Sequence, residues 1–324
     1  MNKFSSPLQE LVAYLDKISE DLMIQDTPPS LYDPINYLFN KKGKKIRGLL
    51  TLITHNLFDG NIEDVKSLVL AIESLHNFTL IHDDVMDNAV LRRGDLTINE
   101  KWSSNQAILS GDVLFIQACM HLLKSNQMRS SFLYDFMLIS KQICEGQQLD
   151  LDMQTKKEVS LDDYFKMVNL KTGVLIQFSL VAAASMSQKG RSQLAQINSI
   201  GKDLGLLFQI QDDFLDLYGS KKNTGKSIGG DVFESKKSFL YITALDNASL
   251  TTKKELIKIY YSNSKTKLNK VLSLYSELHV KKSVDNTITS LKYDIFNTIS
   301  ALHADQIKKN IFIEFITTLL NRDS

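Results

Sequence analysis

The distribution of proline limits the folds open to this chain more than any other feature. All four prolines lie within the first 34 residues, so the 290 residues that follow contain none. Glycine is also modest, at 14 residues. A protein that alternates strands and helices needs many turns marked by glycine or proline, whereas helix interiors exclude proline. A long proline-free chain therefore favours an all-α protein.

Hydrophobic periodicity supports the same fold class. From Val65 to Thr79, apolar and small residues recur at steps of three and four, which is the helical interval. The same interval recurs in Ile108–Leu123, Phe132–Ile143, Leu161–Ala184 and Ile197–Leu217. Strand-like alternation is weak, and no low-complexity linker divides the chain. We expect a single all-α domain over residues 1–324, with more polar helices from about residue 250.

Charge and composition exclude several classes of partner. The chain has 38 basic and 37 acidic residues, a balance that offers no general footprint for nucleic acid or an anionic membrane. The longest apolar stretch, around Val174–Met186, is interrupted by Gln177 and Ser179 and is too short to span a bilayer. Two cysteines fit a reducing compartment. We predict a soluble, cytoplasmic protein with no membrane span and no nucleic-acid partner.

Two aspartate-rich motifs carry the strongest functional signal. The DDxxD pattern occurs as Asp83, Asp84 and Asp87, and again 129 residues later as Asp212, Asp213 and Asp216. In a helix, the first and last aspartates of each trio lie one turn apart on the same face. Each trio follows a strongly apolar stretch, which would carry the carboxylates toward the interior.

Placing carboxylates this close together is costly without cations. Two carboxylates roughly 5 Å apart repel by about 3 kcal/mol at an effective dielectric constant of ~20. Magnesium is the expected cation, because it prefers oxygen ligands and shares its shell with substrate phosphates. The alternative is a solvated acidic turn, which is how we interpret the Asp162–Asp163 pair, where no third acid follows. Two complete trios are a much rarer coincidence.

The paired motifs resemble the trans-polyprenyl diphosphate synthase family, which includes farnesyl and geranylgeranyl diphosphate synthases. The resemblance covers about residues 40 to 240. It implies the isoprenoid synthase type I fold, a helical bundle around a central cavity. It also implies that both aspartate motifs bind three Mg²⁺ ions together with an allylic diphosphate, and that the protein is a homodimer.

A basic segment near the N-terminus is similar to the family's GGKRxRP box. The sequence NKKGKKIRGLL places Lys44 and Arg47 three residues apart, on one face if the segment is helical. The resemblance implies that these two bind isopentenyl diphosphate. Three positions depart from the box, since Lys42 replaces a glycine, Lys45 an arginine and Gly48 the proline. On its own, a lysine-rich loop is more often simply solvated.

Arginines after the first trio extend the set of candidate phosphate ligands. Arg92 and Arg93 each offer a planar fork for phosphate oxygens. The resemblance assigns the first to the allylic diphosphate and the second to the isopentenyl one. His76 lies seven residues before Asp83, near the same helix face, and matches a family contact to isopentenyl diphosphate.

Further polar residues match the family in order along the chain, although each alone is more often an ordinary surface residue. The resemblance places these near the diphosphates or the reacting carbons: Lys171, Thr172, Gln209, Lys226 and Lys236. It gives these a supporting role behind the metal and lysine network: Gln147, Asp150 and Asp231.

The implied reaction is a head-to-tail, 1′-4 condensation of isopentenyl diphosphate with an allylic diphosphate. Ionisation assisted by magnesium would give an allylic cation, the isopentenyl double bond would attack it, and a proton would then be eliminated. The departed diphosphate is the implied base. The residues expected to act in catalysis are Asp83, Asp87, Asp212, Lys171, Thr172 and Gln209.

Phe78 and Thr79 are the expected determinants of product length. Thr79 lies one turn before Asp83, and family members use these two positions to stop chain elongation. One aromatic and one small residue suggest a product of fifteen to twenty carbons. We favour geranylgeranyl diphosphate, with farnesyl diphosphate as the alternative. Phe78 could instead be ordinary core packing.

Two other classes of function compete with a synthase. A type I terpene cyclase usually has a different second metal motif and lacks the isopentenyl-binding box. A non-enzymatic helical partner tends to lose one aspartate motif. Both DDxxD motifs are complete here, and Lys44 and Arg47 are present, so both alternatives are disfavoured.

Overall fold

The computed structural model describes residues 4–41, 43–92, 94–124, 130–156, 158–219 and 228–320. The predictions for Arg93 and Lys226, and the substitution at Lys42, lie outside the described residues.

Helices form almost all of the regular structure in the described residues. In chain order they are α1 (Ser6–Ile18), α2 (Pro29–Phe39), α3 (Ile46–Leu57), α4 (Lys66–Met86), α5 (Ile98–Lys101), α6 (Ser104–Leu123), α7 (Ser130–Thr155), α8 (Leu161–Val168), α9 (Val174–Ser185), α10 (Gln188–Arg191), α11 (Leu194–Tyr218), α12 (Gly230–Phe233), α13 (Phe239–Asn247), α14 (Leu250–Tyr260), α15 (Lys267–Glu277), α16 (Val280–Ala301) and α17 (Gln306–Leu320). Short 3₁₀ turns cover Ser19–Leu22 and Ile62–Val65, and a π-helical turn, Asn169–Gly173, joins α8 to α9.

The prediction of an all-α protein is confirmed, and each periodic segment of the sequence coincides with helix. A small antiparallel hairpin is the exception, formed by β1 (Leu91–Arg92) and β2 (Asp95–Leu96). The segment that carries Lys44 and Arg47 is helical only in part, because α3 begins at Ile46 and Lys45 before it has a left-handed backbone with φ of 42°. The condition under which Lys44 and Arg47 would share a helix face is therefore not met.

The described residues divide into two compact units. The first comprises Met1–Ser140, Leu175–Gly201 and Ile299–Thr318, and the second Lys141–Val174, Lys202–Thr298 and Leu319–Ser324. The first aspartate trio belongs to the first unit and the second trio to the second. A single domain over the whole chain stays a prediction.

Helix α4 shows why the first unit places its acidic end where it does. Along α4, Leu68, Ile72 and Leu75 recur at helical spacing and are completely buried. The same helix packs against α3 and α6. Burial of these side chains holds the helix in place, at about 1.5–3 kcal/mol for each fully buried Leu or Ile. Its C-terminal turn, which carries the aspartates, is more exposed.

The core of the second unit surrounds the end of α11 that carries the other trio. Ile210 and Leu217 on α11 are buried together with Tyr164 of α8 and Phe239 and Leu240 of α13. Apolar residues therefore flank Asp213 on its own helix and on both helices that contact it.

Within the described residues, two helical stretches are long and apolar enough to cross a membrane by length and composition. They are Ser104–Leu123 and Leu161–Ser185, and the second contains most of the stretch that the sequence suggested was too short. Core helices of soluble proteins can be equally long and apolar, and the second stretch is mostly buried. The absence of a membrane span therefore stays a prediction.

Candidate active site

The first aspartate trio lies at the C-terminal end of α4. Asp83 is half-buried, Asp84 is 5% exposed and Asp87 is exposed. The Asp87 backbone N–H donates to the Asp83 carbonyl at 2.8 Å, which continues the helical turn by one residue. Asp83 and Asp87 therefore lie one turn apart, as the sequence predicted, while Asp84 points into the protein.

Asp84 is compensated by Arg92 of the β-hairpin. The Arg92 Nε and Nη2 atoms both lie 2.6 Å from Asp84 Oδ1. Burial raises the pKa of Asp84 above its ordinary value, and the Arg92 guanidinium opposes that rise. Tyr37 Oη and Lys41 Nζ each donate to the Leu96 carbonyl at 3.0 Å, which fixes the hairpin to α2 and its C-terminal end. The hairpin thus holds the Arg92 guanidinium beside the trio.

Two candidate isopentenyl-diphosphate ligands, Arg47 and His76, meet between α3 and α4. Arg47 Nη1 lies 3.1 Å from His76 Nε2. Lys44 precedes α3, two residues before the helix begins. Arg47 and His76 are thus brought together in the first unit, although they are 29 residues apart in sequence.

An aromatic cluster lies along the seam between α4 and α6, one turn before the first trio. The Phe78 ring is 4.6 Å from the His82 ring and 5.4 Å from the Phe115 ring, centroid to centroid. A Cβ at Gly111 would lie 2.3 Å from His82 Nε2, so glycine gives the imidazole its space against α6. Thr79 Oγ1 donates to the His76 carbonyl at 2.8 Å. Of the two residues expected to determine product length, Phe78 therefore supplies the bulky side chain.

The second trio repeats the arrangement of the first on α11. Asp212 is exposed, Asp216 is half-buried and Asp213 is 7% exposed. Asp213 accepts hydrogen bonds from Tyr164 Oη at 2.8 Å, from the Phe239 backbone N–H at 2.8 Å and from Gln209 Nε2 at 3.0 Å. Burial raises the pKa of Asp213 to about 6, while these three donors oppose the rise. The middle aspartate of each trio is therefore already engaged by donors.

The segment after the second trio folds back onto Asp216. The Asp231 backbone N–H donates to Asp216 Oδ2 at 3.0 Å, and the Gly229 N–H donates to the Asp216 carbonyl at 2.7 Å. Lys236 Nζ lies 3.7 Å from Asp231 Oδ1 and 3.0 Å from Glu234 Oε2. Asp231 thus connects Lys236 to the second trio.

Lys171 and Thr172 lie in the π-helical turn between α8 and α9. Such turns are rare and often occur at functional sites. Lys171 Nζ donates to Asp150 Oδ2 at 2.6 Å, and Thr172 Oγ1 donates to Gln209 Oε1 at 3.2 Å. Because Gln209 also donates to Asp213, a continuous hydrogen-bonded chain links the π-helical turn to the second trio.

Two glycines allow neighbouring helices to approach this turn. A Cβ at Gly146 on α7 would lie 2.3 Å from the Lys171 backbone nitrogen. A Cβ at Gly205 on α11 would lie 2.5 Å from the Gly173 Cα atom. The close backbone packing positions Lys171 and Thr172 against Asp150 and Gln209.

Gln147 is buried next to Gly146 without visible compensation. Its side chain is 7% exposed, and neither amide atom has a hydrogen-bond partner among the described residues. A buried polar group left unsatisfied costs about 1–3 kcal/mol. An amide of this kind fits a site that is completed by water or a polar ligand.

The donor set of the trios suits magnesium. No group of three His, Cys, Asp or Glu side chains in the described part of the chain is arranged to hold a metal by itself. Magnesium does not need such a group, because it is commonly bound by one or two carboxylates plus water and substrate phosphates. Asp83 with Asp87, and Asp212 with Asp216, each offer such a pair of hard oxygen ligands.

Comparison with known proteins identifies the family. The family model for polyprenyl synthetase matches residues 28–278, which is most of the chain. The chain belongs to the polyprenyl synthetase family. It is 36% identical to the short chain isoprenyl diphosphate synthase of Methanocaldococcus jannaschii over 76% of each chain. It is 30% identical to the geranylgeranyl diphosphate synthase of Sulfolobus acidocaldarius over 96% of this chain and 95% of that protein.

A solved structure gives the same result for the fold. The crystal structure of a geranylgeranyl pyrophosphate synthase matches with a TM-score of 0.90 and 31% identity, over 98% of this chain and 99% of that one. This polyprenyl synthetase has the all-α isoprenoid synthase type I fold, as the resemblance implied. It is an enzyme of the polyprenyl diphosphate synthase class, a prenyltransferase.

Sequence reasoning missed several residues that shape the site. Tyr164 and Phe239 engage Asp213 from positions 49 and 26 residues away, and no local pattern marks them. Phe115 contacts Phe78 from another helix. Glu73 is an acid within an otherwise apolar stretch of α4, and that anomaly could have identified it.

Gly146→Ala tests the close packing of the π-helical turn. The added methyl group must displace the backbone at Lys171, and overpacking of this kind costs about 1–3 kcal/mol. We expect a lower melting temperature and a fall of about tenfold or more in synthase turnover, because a small displacement of a positioned group is costly in rate. Glu145→Ala, an exposed change on the same helix, is the matched control. A Gly146→Ala enzyme with the melting temperature and turnover of the wild type would contradict the claim that this close packing positions the π-helical turn.

Proposed function

We propose that this polyprenyl synthetase is a short-chain trans-prenyltransferase that condenses isopentenyl diphosphate with an allylic diphosphate to give geranylgeranyl diphosphate. The observation that carries the proposal is the arrangement that the two trios share. In each, a buried middle aspartate is engaged by donors and two more accessible aspartates lie one turn apart. Several relatives with at least 30% identity are named geranylgeranyl diphosphate synthases, which supports this product.

Three Mg²⁺ ions form part of the proposed site. We assign their protein ligands to Asp83 and Asp87 on α4 and to Asp212 and Asp216 on α11. Asp84 and Asp213 were expected as ligands too, but their burial and their hydrogen bonds favour a supporting role. Bound magnesium would neutralise negative charge on the leaving diphosphate, which is the electrostatic contribution that such ions make.

The cationic side chains bind and orient the allylic diphosphate. Arg92 can do so without leaving Asp84, because a guanidinium has five N–H donors and only Nε and Nη2 contact that carboxylate. Lys171 and Lys236 are held by Asp150 and Asp231, which fixes where their ammonium groups lie. Lys226 completes the proposed set for this diphosphate, and Arg93 is proposed to bind isopentenyl diphosphate; both lie outside the described residues.

Isopentenyl diphosphate is bound by Lys44, Arg47 and His76. Its double bond attacks the allylic cation, and the departed diphosphate removes the proton. The linked hydroxyl and amide oxygens of Thr172 and Gln209 stabilise the cation while it exists. Exclusion of water protects that cation from quenching.

Phe78 sets the product length in this proposal. Phe78 precedes Thr79, which lies one turn before Asp83, and its ring packs against Phe115 and His82, so an elongating chain that runs along α4 would meet an aromatic barrier. The small side chain of Thr79 leaves the neighbouring position open.

A second copy of the chain covers an apolar surface in this proposal. The α6–α7 face, defined as Ile108, Leu109, Ile116, Met120 and Leu123 of α6 with Tyr134, Met137 and Leu138 of α7, is exposed. Exposed apolar side chains grouped on neighbouring helices can mark a protein interface. We therefore propose a homodimer that buries this face.

Domain organisation and location complete the proposal. The chain passes repeatedly between its two units, because neither unit is one continuous segment, and this supports a single domain. Neither Cys119 nor Cys144 forms a disulfide in the described part of the chain, which suits the cytoplasm.

Product analysis with purified enzyme tests the function. With Mg²⁺, isopentenyl diphosphate and farnesyl diphosphate we expect the twenty-carbon diphosphate, and no product when EDTA replaces Mg²⁺.

Asp83→Asn and Asp212→Asn should each lower kcat by about 100-fold or more, because metal clamps contribute several kcal/mol. Asp162→Asn changes an exposed aspartate outside both trios and is the control. A cyclic hydrocarbon would favour a terpene cyclase, fifteen carbons as the final product would favour a farnesyl diphosphate synthase, and full activity in both trio variants would refute the metal assignment.

Phe78→Ala tests the determinant of product length. Removing the ring opens space one turn before Asp83, so we expect products at least five carbons longer, seen by chromatography of the dephosphorylated alcohols. Phe233→Ala makes the same change at an exposed site in the second unit and should leave the products unchanged. An unaltered product pattern in Phe78→Ala would show that the ring is core packing.

Sedimentation velocity tests the homodimer. We expect a particle of about twice the chain mass of 36.7 kDa. Ile116→Glu places a charge on the α6–α7 face and should shift the protein toward monomer, whereas Ile307→Glu, at another exposed isoleucine, should not. A monomeric wild-type protein at micromolar concentration would contradict the proposal.

A further inference from the structure

The N-terminal turn of α3 lacks a cap from its own sequence. The residue before the helix, Lys45, has a left-handed backbone and makes no side-chain cap. The first backbone N–H groups of a helix have no acceptors within the helix and need partners from elsewhere. Arg47, a proposed ligand of isopentenyl diphosphate, is the second residue of this helix.

Glu73 supplies an acceptor from the neighbouring helix. The Gly48 N–H donates to Glu73 Oε1 at 2.8 Å, and the Glu73 side chain is 2% exposed. A carboxylate at a helix N-terminus is favourable because it meets the positive end of the helix dipole, and a buried bond to a carboxylate is stronger than a neutral one. Glu73 thus caps α3 from α4.

Glycine at position 48 makes this contact possible. A Cβ at Gly48 would lie 3.1 Å from Glu73 Oε1 and 3.1 Å from side-chain atoms of both Leu15 and Val69. The family box described above has proline at this position, and proline has no N–H to donate. The bond from Gly48 to Glu73 is therefore a consequence of this chain's own departure from that box.

Two contacts, made by residues three apart on α4, hold α3 against α4. Gly48 is bonded to Glu73, and the adjacent Arg47 contacts His76, which follows Glu73 by one helical turn. A shift of the first turn of α3 along α4 would break the first contact and would also move the Arg47 guanidinium relative to the His76 imidazole.

We propose that Glu73 is a positioning residue for the isopentenyl diphosphate site. It does not touch substrate. Instead, its bond to the Gly48 N–H sets the distance and orientation of Arg47 relative to His76, so that both face the same diphosphate. This inference rests on the proposed prenyltransferase function and on the assignment of Arg47 and His76 to isopentenyl diphosphate.

Two substitutions of Glu73 distinguish a role that depends on its hydrogen bond with Gly48 from one that depends only on its negative charge. Glu73→Asp keeps the negative charge but shortens the side chain by one methylene group, which withdraws the oxygen from Gly48. Glu73→Gln removes the charge but keeps the length and the acceptor oxygen. Ser74→Ala is the matched control, because Ser74 is the next residue of α4, is 1% exposed, and its hydroxyl has no hydrogen-bond partner among the described residues.

Steady-state kinetics with each substrate varied separately provide the readout. We expect Glu73→Asp to raise the KM for isopentenyl diphosphate by about tenfold or more, with kcat and the KM for the allylic diphosphate within about threefold of wild type. Glu73→Gln should keep the KM for isopentenyl diphosphate within about threefold, and Ser74→Ala should match wild type. Circular dichroism and the melting temperature of each variant are measured alongside, and if Glu73→Asp does not fold, Glu73→Met removes the acceptor oxygen at similar side-chain length and is expected to raise the same KM.

The outcomes distinguish this inference from the proposed function. If the wild-type enzyme condenses the two substrates and a folded Glu73→Asp binds isopentenyl diphosphate as tightly as wild type, the inference is overturned while the function stands. Equal losses in kcat and in both KM values would also overturn it, because they would indicate a general structural role. If the wild-type enzyme makes no chain-extended product, the proposed function itself fails.

Discussion

The structure depends on how it accommodates one buried carboxylate in each aspartate trio. Asp84 and Asp213 lie in the protein interior, and an unpaired charge there would be strongly unfavourable. Arg92 compensates the first, while a tyrosine hydroxyl, a glutamine amide and a helix N-terminus compensate the second. With the middle aspartate anchored, the first and last carboxylates of each trio are oriented toward the more accessible side. The chemistry proposed for this enzyme follows from that orientation.

The proposed substrate ligands are also held in place by polar contacts. Lys171 is held by Asp150, Lys236 by Asp231, and Arg47 contacts His76 at the first turn of a helix that Glu73 caps. In each case a polar partner reduces the number of positions open to the functional side chain. Such preorganisation lets cationic groups stabilise a leaving diphosphate without reorganising during the reaction.

The sequence predicted the features that depend on local spacing along the chain. It did not predict those that depend on packing between distant residues. Helical periodicity and the lack of proline predicted the all-α fold, and the spacing within DDxxD predicted that Asp83 and Asp87 share a face. The burial of Asp84 and Asp213 was not predictable, because it depends on Arg92, Tyr164 and Phe239, which approach from other elements. The start of α3 at Ile46, which leaves Lys44 outside the helix, was not predictable, because the left-handed backbone of Lys45 has no clear signature in a lysine-rich segment. The role of Gly146 likewise depends on a backbone contact with Lys171 that no local pattern encodes.

The central claim is that the accessible aspartates bind a diphosphate through magnesium. Thermal unfolding of the wild-type enzyme with Mg²⁺ alone, inorganic pyrophosphate alone, and both together tests this most directly, because a ligand that binds the folded state raises the melting temperature according to its affinity. The account predicts that the two added together raise the melting temperature by clearly more than the sum of their separate effects. Pyrophosphate that stabilises the protein equally in EDTA and in Mg²⁺ would contradict it.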